Sequence, residues 1–426
     1  MREMKDSGVE WIGEIPENWC LNRLKFASTY NDESLKESCD SEMEIEYVEI
    51  GSVTLEKGVE RTEIMRFKDA PSRARRIARK NDIIISTVRT YLRAIALIEK
   101  ENYIVSTGFC VIRPKKCVDS RFLKYFCSSE LFTDQVSACS VGISYPAINA
   151  STLMDFHIIC PSLYEQGRIA DFLDKKCFQV DTLIANVQAQ IEKLKAYKQS
   201  MITEVVTKGL DPTVPMKDSG VEWLGQVPEH WGVHRIANLY EERSENGLPE
   251  LPILTVSINT GVSDHEIADK DKDRVFIRIE DRTKYKRVYP GDLTYNMMRA
   301  WQGAFGAVRV DGLVSPAYVV AKPKKTIPLD SRYIEALLRT PVAIEEMHRY
   351  SRGIIDFRLR LYWPEFKNIR ICLPSIEEQC KIADYIDEIT SKVDALIAIK
   401  QSKIEKLEQY KKSLIYEYVT GKREVI

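Results

Sequence analysis

The stretch MKDSGVEWIGEIPENW, Met4–Trp19, is written almost a second time as MKDSGVEWLGQVPEHW, Met216–Trp231. Twelve of the sixteen positions are identical, two more exchange Ile for Leu or Val, and the offset is 212 residues in a chain of 426. The echo falls at the midpoint. An internal repeat decides the architecture, so its extent comes first. Asn81–Ser86 with Arg89 answers to Gly291–Asn296 with Arg299, and VSTGFCVIRPKK (Val105–Lys116) to VSPAYVVAKPKK (Val314–Lys325). Ser120-Arg121-Phe122 opens a helical pattern, and so does Ser331-Arg332-Tyr333. IICPSLYEQGRIADFLD (Ile158–Asp174) answers to ICLPSIEEQCKIADYID (Ile371–Asp387). The chain is two copies of one unit.

Each copy divides in two. The first part alternates short β-rich runs with turns: Ile83–Val88, Ala94–Ile98 and Tyr103–Ile112, then Leu293–Met298, Ala304–Val310 and Ala317–Ala321. Single helices are expected over Ser120–Ser137 and Ser331–Tyr350, which makes each first part an α+β domain. The second part, from about Ser162 to Val206 and from Ser375 to Val419, carries no internal Pro, and only Gly167 interrupts it. Val180, Val187, Leu194 and Met201 recur every seven residues, with Ile184, Ile191, Tyr197 and Val205 completing the stripe. The partner stripe is Val393, Leu407 and Leu414 with Ile397, Ile404, Tyr410 and Tyr418, interrupted by Lys400. These are coiled-coil seams, each helix spanning roughly 60 Å. A globular domain separates the helices in sequence, so they are expected to pair antiparallel, with a domain at each end and pseudo-two-fold, circular symmetry.

Composition narrows the class. A hydrophobic fraction of 44% and a charged fraction of 29% describe a globular protein, and a net charge of −1 means that any nucleic-acid contact needs local basic patches. No run of about 18 apolar residues occurs, and a cytoplasmic location is expected. Eight of the ten cysteines lie in the first half, none spaced C-x-x-C and none beside a histidine at metal-site spacing, so they read as ordinary thiols. The catalytic inventory is empty: no phosphate loop, dinucleotide fingerprint, nucleophile elbow or H-E-x-x-H helix, and no Asn/Asp-Pro-Pro-aromatic tetrapeptide. A duplicated enzyme should show its reactive cluster twice.

What is duplicated is basic and aromatic surface. Arg73, Arg75, Arg76, Arg79 and Lys80 crowd eight residues, and Arg89, Tyr91 and Arg93 follow the next strand. In the second copy Arg282, Lys284, Lys286 and Arg287 take the place of the run, followed by Arg299, Trp301 and Gln302. Basic runs position a protein on phosphates, while Arg, Asn and Gln read base edges. A solvated face is the competing reading. GISYPAIN (Gly142–Asn149), with Ser144, Tyr145 and Asn149, corresponds to GIIDFRLR (Gly353–Arg360), with Asp356, Arg358 and Arg360, and Arg352 stands just ahead of it. A kept scaffold with divergent polar tips is what two readers of different sequences would carry, although drift after duplication explains it equally well.

The box with paired tryptophans, the two-fold repetition, and the segments Leu163-Tyr164-Glu165-Gln166 and Ile376-Glu377-Glu378-Gln379 at the helix starts resemble the specificity subunit of type I restriction–modification systems. Ile376, where Leu is usual, is a conservative departure. The resemblance covers the whole chain. It implies target recognition domains over 1–160 and 213–373, each reading half of a split DNA sequence, and spacer helices over 161–212 and 374–426. It further implies double-stranded DNA, methyltransferase subunits (two) and restriction subunits as partners. S-adenosylmethionine would sit on the methyltransferase, ATP and Mg on the restriction subunit, and no cofactor or metal on this non-catalytic chain. The alternatives are a stand-alone DNA-binding regulator outside a restriction system and a scaffold that binds only protein. The tryptophan boxes are expected to pin each domain against the helix ends, the first box lying near Gly421.

Overall fold

The computed structural model describes residues 2–266, 281–353 and 359–425. The chain separates into two compact units, Met1–Gln188 with Gln401–Ile426, and Ala189–Lys400. Each unit therefore holds one globular part and a portion of both long helices.

In the first unit, the apolar run Ile83–Ser86 is buried throughout. It pairs antiparallel with Ile95–Leu97 on one side and Phe109–Pro114 on the other, and Ser28–Tyr30 closes the sheet. A second sheet runs in the order Glu63–Arg66, Glu44–Val48, Tyr103–Ser106, Ala74–Ala78. The single strand expected over Tyr103–Ile112 is thus two strands in two sheets. The chain crosses between them at Thr107-Gly108, where a Cβ on Gly108 would stand 2.5 Å from Ile50 Cδ1. The second unit repeats the first sheet, with Tyr240–Arg243, Tyr318–Pro323, Leu293–Asn296 and Phe305–Ala307 in that order. Lys286–Val288 pairs there with Gly312–Val314.

The helices expected over Ser120–Ser137 and Ser331–Tyr350 are each broken in two, as Ser120–Ser128 with Glu130–Ala138 and Ser331–Leu338 with Pro341–Tyr350. Thr340 precedes Pro341 and is forced out of the helical region, at ψ 149°. Ser129 adopts the same ψ of 149° without a proline. Both hydroxyls donate back into the preceding turn, Ser129 Oγ to the Phe126 carbonyl at 2.6 Å and Thr340 Oγ1 to that of Leu337 at 2.7 Å.

The long helices run over Leu163–Lys208 and Ile376–Val419, and Gly167 leaves the first unbroken. The buried and half-buried seam of the first is Leu173, Cys177, Val180, Ile184, Val187, Ile191, Leu194, Lys198, Met201 and Val205, a strict 3–4 alternation. That of the second is Val393, Ile397, Lys400, Ile404, Leu407, Lys411, Leu414 and Tyr418. Tyr197 and Tyr410, which the sequence places in the stripe, lie outside it and are exposed, and the next residue, a lysine in both helices, takes the seam position. The lysines are paired. In the first unit Lys411 Nζ donates to both oxygens of Asp181, at 2.7 and 2.8 Å. In the second unit Lys198 Nζ donates to Asp394 at 2.5 Å and Lys400 Nζ to Gln190 at 2.6 Å. Lys411 and Asp394 lie 213 residues beyond Lys198 and Asp181, so one pair is the repeat image of the other. In each unit the helices run antiparallel: in the first, Phe172 packs on Tyr418, ring centroids 4.5 Å apart, while Asp181 meets Lys411, and in the second Gln190 meets Lys400 while Lys198 meets Asp394. Polar residues at seam positions fix register at some cost in stability.

The repeated boxes close the unit ends. Trp19 and Trp231 are 1% exposed, and their indole N–H groups donate to Glu165 (3.0 Å) and Glu378 (3.2 Å) at the starts of the long helices. Gly209 directly follows the first long helix and Gly421 lies two residues past the end of the second, both at positive φ. A Cβ on Gly421 would stand 2.8 Å from Trp19, and one on Gly209 3.6 Å from Trp231. Each box therefore seals the end of one long helix against the start of the other. The residue after each glutamate completes the joint: Gln166 and Gln379 are buried and hydrogen-bond the carbonyls of Pro161 and Pro374. The duplicated motifs at the helix starts are thus structural clamps.

Candidate nucleic-acid interface

Two candidate segments that are far apart in sequence form one surface in the first unit. Residues 87–93 leave the buried strand Ile83–Ser86, and residues 141–149 precede the short helix Ala150–Met154. The Ile148 N–H donates to the Thr87 carbonyl at 2.9 Å, and Val88 and Val141 each bridge to Ala147. Thr90 Oγ1 and Ser140 Oγ lie 2.8 Å apart. Arg89 and Arg93 both adopt the left-handed conformation, at φ 52° and 49°, which an L residue holds only where its surroundings impose it. The Arg89 guanidinium lies 5.0 Å from the Tyr145 ring centroid. Arg89, Tyr91, Ser144, Tyr145 and Asn149 are exposed. Arg93 is half-buried and paired with Asp134 at 2.9 Å.

The basic run is divided by its own strand. Arg73 stands at one end of Ala74–Ala78, and its carbonyl accepts from the Thr107 N–H. Gly108, the next residue, accepts from the Thr87 N–H, so Arg73 neighbours the loop pair. Arg73 is exposed and bonds Glu49 at 2.8 Å. Arg79 and Lys80 are exposed at the other end, about 20 Å along the strand, where Arg79 pairs with Glu33 at 2.6 Å. Arg75 is half-buried over the Phe67 ring, 4.8 Å from its centroid. Arg76 points inward, donating to Asn31 Oδ1 at 2.8 Å and to the Phe109 carbonyl, and burial pulls its pKa below the ordinary arginine value. The run is not one patch.

The second unit makes the same juxtaposition. The Leu361 N–H donates to the Met297 carbonyl, and Arg352 and Arg360 exchange two backbone hydrogen bonds, each 2.9 Å. Arg352 and Arg360 are exposed, the former paired with Glu365 at 2.7 Å. Arg358, and Asp356 beside it, lie outside the described residues. Arg299 differs from Arg89: its φ is −135° and its side chain is half-buried near Tyr318. Trp301 donates its indole N–H to the Met298 carbonyl at 3.0 Å and meets the His348 ring edge-on at 5.7 Å. Gln302 and Lys284 are exposed. Lys286 donates to the Tyr318 carbonyl at 2.7 Å, and burial holds its ammonium below the usual lysine range. Arg287 lies 4.5 Å from the Tyr289 ring centroid.

The loop pairs also present residues that a search for polar candidates passes over. Val88, Leu92, Val141 and Ile143 are exposed apolar side chains around Arg89 and Tyr145. Of the four, Ile143 alone carries a signal in the sequence, the Gly-Ile step shared by the two copies.

Residues 40–195 match a family model described as the type I restriction modification DNA specificity domain. Over 428 residues the chain is 25% identical to the type I restriction enzyme MjaVIII specificity subunit of Methanocaldococcus jannaschii, covering 96% of this chain and 93% of that protein. Over 307 residues it is 24% identical to the EcoKI specificity subunit of Escherichia coli, covering 68% and 62%. In fold it is similar to a chain solved in a study of complex assembly and conformational transition of the type I R-M system, with a TM-score of 0.71 and 22% identity over 96% of this chain and 99% of that one. It is also similar to the HsdS subunit from Thermoanaerobacter tengcongensis, with a TM-score of 0.51 and 22% identity over 96% and 98%.

Proposed function

We propose, because this chain belongs to the specificity subunits of type I restriction–modification systems, that each unit reads one half of a bipartite DNA target. The observation that carries the reading is the loop pair built once in each unit, residues 87–93 with 141–149 and residues 297–302 with 352–353 and 359–361. Exposed Arg, Gln, Asn and Tyr side chains sit on backbone tied to a buried strand, which suits reading base edges from a fixed position. Arg89, Tyr91, Ser144, Tyr145 and Asn149 are the reading residues of the first unit. Arg299, Trp301, Gln302, Arg352 and Arg360 are their counterparts in the second. Arg73, Arg79, Lys80 and Lys284 hold phosphates.

The long helices set the gap between half-sites and dock the methyltransferase subunits, two per chain, with restriction subunits completing the complex. The chain itself carries out no catalysis and binds no cofactor. S-adenosylmethionine is held by the methyltransferase, and ATP with Mg by the restriction subunit. The empty inventory of catalytic motifs supports that division. The near-neutral net charge of −1 fits a protein whose partners share the phosphate contacts. The specificity subunits among the relatives favour a restriction system over a stand-alone regulator.

The helix reading is tested by inserting four residues near Ala189, about 6 Å of helix. The methylated motif should keep both half-sequences and change only the length of its gap. A change in the half-sequences would refute the spacer role.

A further inference from the structure

We infer that Ile143 is a wedge that enters between two stacked base pairs of the half-site read by the first unit and unstacks them. The inference rests on the DNA-reading role above and adds how one half-site is gripped. Ile143 stands at the apex of the turn Gly142–Pro146, closed at its base by two backbone hydrogen bonds between Val141 and Ala147, at 2.9 and 3.0 Å. Gly142 turns the chain at φ +116°, where a Cβ would stand 3.1 Å from the Tyr145 carbonyl oxygen. The turn is also fastened to the neighbouring loop, through Ile148 N–H to Thr87 and through the Val88–Ala147 bridge. The apex therefore stands on two strapped loops.

The Ile143 side chain is fully exposed, with Val141 and Tyr145 more than half exposed beside it. Holding an isoleucine in water at a braced apex forgoes the free energy of its burial, so the position makes sense when something covers it. The surroundings name the occupant. Arg89 lies against Tyr145 at the foot of the turn, offering a cation and an aromatic face to the bases beside the opened step. An aliphatic wedge flanked by such groups is how proteins open a base step and bend the duplex.

The test uses the full chain assembled with its methyltransferase subunits on duplexes carrying the methylated motif of the host. 2-Aminopurine replaces purines one at a time through both halves, avoiding the adenines that are methylated. The fluorescence should rise severalfold at one step, in one half only. Ile143→Ser should abolish that rise and weaken binding about tenfold, while Ile143→Leu keeps most of both. All three proteins should melt together, since the side chain packs against nothing. Specific binding with no rise, or a rise that persists in Ile143→Ser, overturns the wedge and leaves DNA reading standing. An Ile143→Ser chain that binds the duplex normally but no longer assembles would assign the apex to protein contact and overturn it too. Failure of the wild-type complex to prefer its motif over random DNA would remove the reading role and the wedge together.

Discussion

Gln166→Leu should lower the melting temperature of the first unit by about 5–15 °C. The side chain is 2% exposed. Its Nε2 donates to the Pro161 carbonyl at 2.9 Å and to that of Cys117 at 3.4 Å, and its Oε1 accepts from the Asp119 N–H at 2.9 Å. Asp119 in turn caps the helix Ser120–Ser128, so one amide joins the starts of two helices. Leucine has a similar volume but leaves a buried N–H and at least one buried carbonyl without partners, at about 1–3 kcal/mol each. The added apolar burial returns roughly 1 kcal/mol, for a net loss of about 1–5 kcal/mol, about 3 kcal/mol at the centre of that range. In a domain of this size each kcal/mol moves the midpoint by about 2–4 °C. Scanning calorimetry would read the shift, with Gln179→Leu as the control, an exposed position of the same helix. Gln379→Leu is the repeat counterpart, its Oε1 accepting from the Asp330 N–H and its Nε2 donating to Pro374, both at 3.0 Å. A Gln166→Leu midpoint within about 2 °C of the control would refute the clamp.

Other perturbations separate structural from reading cations. Arg76→Ala should destabilise the first unit by about 2–3 kcal/mol, because the Phe109 carbonyl and Asn31 lose a buried donor, whereas Arg89→Ala should leave the melting midpoint unchanged and reduce motif methylation. Scanning fluorimetry and methylation assays would show equal melting losses if this division were wrong. Lys411→Leu should raise thermal stability by making the seam apolar, and Asp181→Ala should lower it by stripping Lys411 of its partner; stability falling in both would contradict the seam assignment. Glu33 is held below the usual carboxylate range chiefly by the hydrogen bond from Arg79 and then by that from Arg113. Its contribution is present above the ordinary Glu value near pH 4.3 and is lost as pH falls through the lowered one. The stability gap between wild type and Glu33→Gln should therefore be open at pH 6 and close at strongly acid pH; a gap that widened on acidification would reverse the sign.

The repeat made the fold legible, because each signal came twice. The glycines after the helices and the tryptophan boxes recur after 212 residues and the glutamine steps after 213, so a helix end in one half located its mate in the other. The misplaced details have local causes. A seven-residue stripe read from apolar type alone selected Tyr197 and Tyr410, because the seam positions beside them are lysines neutralised by Asp394 and Asp181. The broken helices turn on Ser129 and Thr340, whose hydroxyls replace backbone partners, and Pro341 alone announced such a break. The site was legible in its parts and not in its assembly. Nothing in the spacing of Thr87 and Ile148 signals the hydrogen bond that joins their loops, and a search for charge cannot find an apolar apex. Conversely, Arg76 and Lys286 look like surface cations in sequence, because their buried carbonyl partners come from distant strands.

The central claim, that this chain chooses a split DNA sequence with two separate readers, is met most directly by sequencing the methylated bases of the host genome with the gene intact and with it deleted. The expected result is one bipartite motif, two short fixed halves around an unspecified gap, present in the first strain and gone in the second. A methylation pattern that survives the deletion, or that loses only a continuous motif, would contradict it.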